Sequence, residues 1–132
     1  MALTYGASPT DITPSGLNGL GSGLSVVTAT QSGTSSDYLI EINVNGTASA
    51  TAYLSVYLLG SEGGTNYDTL ASARLLGAIY LSSTPQQATF SIANDSGLGA
   101  PPKNWEIIIV NNTGAALGAS GNTVKMMTVQ YG

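Results

Sequence analysis

Tyr38-Leu39-Ile40-Glu41-Ile42-Asn43-Val44 alternates in steps of two: Tyr38, Ile40, Ile42 and Val44 share one face, Glu41 and Asn43 the other. A period of two describes a half-buried β-strand and cannot be met by a helix. Residues 51–59 alternate in the same way, with Leu54, Val56 and Leu58 opposite Tyr53, Ser55 and Tyr57. Further strand-like runs cover residues 24–30, 75–81, 88–93, 105–110 and 124–131. Turn chemistry separates them: Asn45-Gly46, Gly63-Gly64, Pro101-Pro102, Asn111-Asn112-Thr113-Gly114 and the segment 118–122. Asn45-Gly46 is expected to supply the positive backbone angles of a tight turn. A hint of helical spacing at Leu70, Ala71, Ala73 and Leu76 allows one short helix near residues 69–76. Seven or eight short strands in 132 residues predict one all-β domain, an antiparallel β-sandwich or jelly roll.

Residues 1–23 break the pattern. Pro9, Pro14, Gly16, Gly19, Gly21 and Gly23 punctuate them, yet Leu3, Tyr5, Ile12, Leu17 and Leu20 carry more apolar surface than a disordered tail. The segment reads as an extended N-terminal arm that docks, with a neighbouring subunit as the expected acceptor, followed by a sandwich domain over 24–132. Leu17 and Leu20 are its candidate contact residues.

Composition removes most kinds of chemistry. Charged residues make up 8% of the chain, the formal net charge is −4, and Lys and Arg together number three. With no basic cluster to displace counterions from phosphates, nucleic acid is not an expected partner. Cys and His are both absent. That excludes disulfides, thiolate or imidazole metal sites, a Cys nucleophile and a Ser-His-Asp triad. The longest apolar run, Ile107-Ile108-Ile109-Val110, is far below the ~20 residues of a membrane-spanning helix. Residues 1–5 carry neither a positive charge nor an apolar core of a secretory signal, so synthesis and folding in a cytoplasm are expected. The sequons at Asn45, Asn94 and Asn111 then read as loop chemistry.

Carboxylates are the remaining acid–base groups. Glu41 lies on a polar strand face, Glu62 and Asp68 near a Gly-rich loop, Asp95 in a loop, and Glu106 beside Trp105. Glycosidic chemistry needs two carboxylates flanking one cleft, and no spacing here singles out such a pair. Residues 61–68 hold two carboxylates, too few for a calcium cage, and fit a long hairpin loop better. No catalytic residue, cofactor or metal ligand is expected, and the chain is not expected to be an enzyme.

The aromatic and apolar faces say more. Tyr53 and Tyr57 share a strand face, Tyr131 ends the last strand and Trp105 opens the most apolar one. Such rings stack on sugars or, more commonly on strands, pack at a sandwich edge or against a subunit. Ile108 and Val110 oppose Trp105, Ile107 and Ile109, while Met127, Val129 and Tyr131 oppose Val124 and Met126. A one-sided sheet has no need of apolar residues on both faces. The surplus implies a covering, by the folded-over arm or by a partner copy in a homodimer or homotrimer. The expected interface is therefore Tyr53, Tyr57, Ile108, Val110, Met127, Val129 and Tyr131, with Leu17 and Leu20.

The order of short motifs resembles a known group. Residues 17–23 (Leu-Asn-Gly-Leu-Gly-Ser-Gly), 57–61 (Tyr-Leu-Leu-Gly-Ser) and 63–67 (Gly-Gly-Thr-Asn-Tyr) are similar to small virion proteins of tailed bacteriophages. So are Leu75-Leu76-Gly77, residues 102–107 (Pro-Lys-Asn-Trp-Glu-Ile) and residues 110–117 (Val-Asn-Asn-Thr-Gly-Ala-Ala-Leu). The resemblance runs over most of the chain, in short, turn-rich motifs. It implies a β-sandwich structural component of the particle, with no catalytic residues. A capsid cement (decoration) protein on the outer capsid surface, bound to the major capsid protein or other virion proteins, is the leading expectation. A tail or fibre-associated module binding a host glycan, or an assembly adaptor, are the alternatives. The low charge departs from what electrostatic docking would need.

Overall fold

The computed structural model describes residues 3–61 and 73–131. Among these described residues, ten strands and one short helix follow in order: β1 (Leu3–Tyr5), β2 (Thr10–Asp11), β3 (Ser25–Val27), β4 (Gln31–Ser32), β5 (Asp37–Val44), β6 (Tyr53–Ser61), β7 (Arg74–Tyr80), β8 (Gln86–Ser91), α1 (Ile92–Asp95), β9 (Asn104–Asn111) and β10 (Thr123–Tyr131). They form two five-stranded sheets in which every pairing is antiparallel. In sheet I the order is β1-β10-β5-β8, with β2 also on β10; in sheet II it is β3-β9-β6-β7, with β4 also on β9. If β1/β2 and β3/β4 are taken as two interrupted strands, eight strands remain. They are ordered first-eighth-third-sixth in one sheet and second-seventh-fourth-fifth in the other, which is a jelly roll.

The alternation predicted from the sequence sets the core. Tyr38, Ile40, Ile42 and Val44 from sheet I meet Leu54, Val56, Leu58, Trp105, Ile107 and Ile109 from sheet II, all buried. The Tyr38 and Trp105 rings lie 5.2 Å apart, tilted by 55°. Phe90 of β8 crosses over Gly77 of β7, where an added Cβ would sit 2.7 Å from the ring. Only glycine leaves that ring its place.

Two local expectations are corrected. Asn45-Gly46 forms no hairpin with positive φ: among the described residues no non-glycine has positive φ, and Gly46 has none either. The physical reason is that β5 and β6 belong to different sheets, so residues 45–52 cross the sandwich instead of closing a two-residue turn. The helix forms at Ile92–Asp95, where Ser91 ends β8 and caps it by accepting from Asn94 N–H at 3.1 Å. Asp37 holds this turn from sheet I, accepting Ser91 Oγ–H at 2.5 Å and Ala93 N–H at 2.9 Å. Of the expected helical segment, residues 69–72 lie outside the described residues and Arg74, Leu75 and Leu76 belong to β7. The Gly-rich loop at 62–68 also lies outside them.

The N-terminal segment folds over its own sandwich. β1 and β2 pair with β10 in register Leu3↔Tyr131, Tyr5↔Val129 and Lys125↔Asp11. Ile12, Leu17 and Leu20 then enter the common core. Residues 3–23 are thus part of the same packed unit as residues 24–131. Asparagine amides tie the loops at this end. The buried Asn111 side chain donates to Leu20 O at 2.8 Å and Ala115 O at 2.9 Å, while its Oδ1 accepts from Thr113 N–H and Oγ–H. Asn122 donates to Asn18 Oδ1 and Gly118 O, both at 2.9 Å, and accepts Asn45 N–H at 2.7 Å. Where charges are scarce, fully satisfied amides do the work of specific buried contacts.

Candidate functional site

The outer face of sheet II is the candidate. Cross-strand register assembles it in rows, since directly paired residues share a face. Val27, Ile108, Tyr57 and Leu75 make one row; Ser25, Val110, Ser55 and Ala78 make the next; Tyr53 and Tyr80 close the end. Tyr53 and Tyr80 rings lie 5.8 Å apart, tilted by 39°. Asn112 beside them donates to Ser55 Oγ at 3.0 Å. Val27, Leu75 and Tyr80 are 46%, 55% and 58% exposed, while Ile108 and Ser55 between them are buried, so the face is apolar and open to solvent at its margins.

The structure divides the residues expected at an interface into three groups. Tyr53, Tyr57, Ile108 and Val110 come together on this face. Met127, Val129 and Tyr131 lie on the outer face of sheet I, on the opposite side of the sandwich. There β1 flanks β10, and Val129 is buried while Tyr131 stays exposed. Leu17 and Leu20 are corrected: both are buried in the chain's own core, with 0% and 6% exposure, and offer no surface to a partner. The turns Pro14 O to Leu17 N–H and Leu17 O to Leu20 N–H curl the segment so that both leucines point inward.

Leu75, Tyr80 and Val27 belong to the site and escape a sequence reading. Leu75 and Tyr80 stand five apart, which on a regular strand puts them on opposite faces. Register shifts between Val56↔Gly77 and Tyr57↔Leu75, so Leu76 is an extra residue, a β-bulge. The bulge turns Leu76 into the core and leaves both Leu75 and Tyr80 facing out.

At the β3 end the face deepens into a trough of about 490 Å³ lined by Ser15, Ser25, Val26, Val27, Leu59, Glu106 and Ile108. Glu106 is its one charged lining residue among the described residues, and Thr30 Oγ–H reaches its Oε2 at 3.5 Å. A smaller recess of about 100 Å³ on sheet I is lined by Pro9, Leu39, Glu41, Thr89, Lys125 and Met127. Next to it, Asp11 on β2 has its carboxyl held below the usual aspartate range, chiefly by hydrogen bonds from Thr13 Oγ–H and N–H, with a smaller contribution from Lys125. Among the described residues, no three carboxylates gather where a metal ion could sit. No described helix is long and apolar enough to cross a membrane.

No protein-family model matches the chain, and no curated protein matches it by sequence. Among solved structures the chain is similar to a carbohydrate-binding module, described as Xyl-CBM35 in complex with a glucuronic acid containing disaccharide. The identity is 14%, the TM-score 0.41, and the match covers 100% of this chain and 94% of that one.

Proposed function

We propose that this chain is a non-enzymatic structural protein of a tailed-phage virion, a capsid cement protein that lays the outer face of sheet II on neighbouring capsid proteins. The observation that carries this reading is the apolar outer face of sheet II, where Val27, Leu75, Tyr53 and Tyr80 are exposed around a half-buried Tyr57 and a buried Ile108. The motif resemblance over most of the chain supports the virion setting. Fold alone does not, since jelly rolls serve capsids and lectins alike. Each copy adds apolar contact area to a junction between shell proteins, at about 25 cal/mol per Å². Repetition over a closed shell turns small local gains into large ones. In this reading the protein is made in the host cytoplasm, acts at the capsid surface, and also associates with itself as a dimer or trimer.

A second reading rests on the Tyr53–Tyr80 pair, whose rings could stack on a host glycan. One experiment separates the two. Purified protein is cosedimented with empty capsids of its phage and, in parallel, applied to immobilised cell-surface glycans. Saturable capsid binding, weakened at least tenfold by Leu75→Asp with Tyr80→Asp, is the expected result. Glycan binding without capsid binding would overturn it.

A further inference from the structure

We propose that the trough at the β3 end of sheet II receives a segment of a partner protein in which an arginine or lysine is flanked by aliphatic side chains. This rests on the reading of sheet II as the docking face and names the chemistry of what docks. The floor and wall are aliphatic, from Ile108, Leu59 and Val27, and Ser15 and Ser25 add only neutral polar groups. Among the described residues no aromatic side chain lines the trough, so its lining suits aliphatic side chains better than a sugar ring. Glu106 decides the rest. It stands on β9 opposite Leu59 and two residues before Ile108, half-buried on the same outward face. Among the described residues its carboxylate receives a single long contact, from Thr30.

Covering that carboxylate with purely apolar surface would strip its water and return nothing, which is costly for an ion. A partner that closes over Ile108 and Val27 must therefore bring a cation to Glu106. The chain's net charge of −4 favours the same sign of partner at longer range. An arginine fits best, because its planar fork can engage both carboxylate oxygens while its methylenes lie along the aliphatic floor.

The probe is acetyl-leucyl-arginyl-leucinamide, titrated into isotope-labelled full-length protein and followed by amide shifts. Saturable shifts confined to residues 25–27, 59 and 106–108 are expected. Glu106→Gln should weaken the binding about tenfold, as the loss of one charge-assisted hydrogen bond implies. The glutamyl counterpart of the peptide should leave those amides unmoved. Equal binding of both peptides, or no shift in the trough with the arginyl peptide, would overturn the inference. The capsid assay fails or succeeds separately: peptide binding in the trough without capsid binding refutes the virion reading and leaves this site standing.

Discussion

Replacing Leu17 by alanine tests whether the N-terminal segment belongs to the core of its own chain. The Leu17 side chain is fully buried, among the largest such side chains in the molecule. Truncation removes three carbons, each about 0.8 kcal/mol of transfer free energy, so about 2.4 kcal/mol before any cavity forms. Incomplete collapse of the surrounding core raises the cost to about 3 kcal/mol. An unfolding entropy of about 2.1 cal/mol/K per residue, over 132 residues, converts this to a fall in Tm of roughly 10 °C. Leu3→Ala is the control, since Leu3 is 46% exposed on β1; its effect should stay within about 0.5 kcal/mol. Calorimetry and urea unfolding measure both variants, with sedimentation velocity alongside. If Leu17→Ala melts like the wild type but loses an oligomeric state, the segment is an arm for a neighbour and the core assignment is refuted.

Two other outcomes follow from side-chain hydrogen bonding. Asn111→Asp should destabilise the fold by about 2–4 kcal/mol, because a buried carboxylate would face the Leu20 and Ala115 carbonyls in place of a donating amide; a urea midpoint unchanged from wild type would refute this. Asp11 has a lowered pKa in the folded chain, so its Thr13 contacts stabilise above the unfolded pKa and are lost as pH falls through the folded one. Hydrogen exchange at Thr13 N–H, corrected for its intrinsic pH dependence, should therefore lose protection in the acid range, and an Asp11→Asn variant should show no such transition.

Period-two alternation is a local property, and it determined which runs are strands and which side of each is inside. Tyr38, Ile40, Ile42 and Val44, like Leu54, Val56 and Leu58, are buried as the sequence alone requires. The apolar surplus on residues 105–110 and 124–131 was legible for the same reason, and so was the need for something to cover it. What covers it was not. Val129 is buried within its own chain, on a strand flanked by β1, whose Tyr5 pairs with it across more than 120 residues of sequence. Pairing between distant strands also decided that β5 and β6 enter different sheets, which leaves Asn45-Gly46 as a crossing instead of a hairpin. The candidate face shows the limit most directly. Tyr53 and Tyr57 could be placed on one side of β6 from their spacing, whereas Leu75 and Tyr80 share that side only because one extra residue, Leu76, bulges out of register with β6. A bulge inverts the facing of every residue beyond it, and its position is set by the partner strand, which the local sequence does not contain.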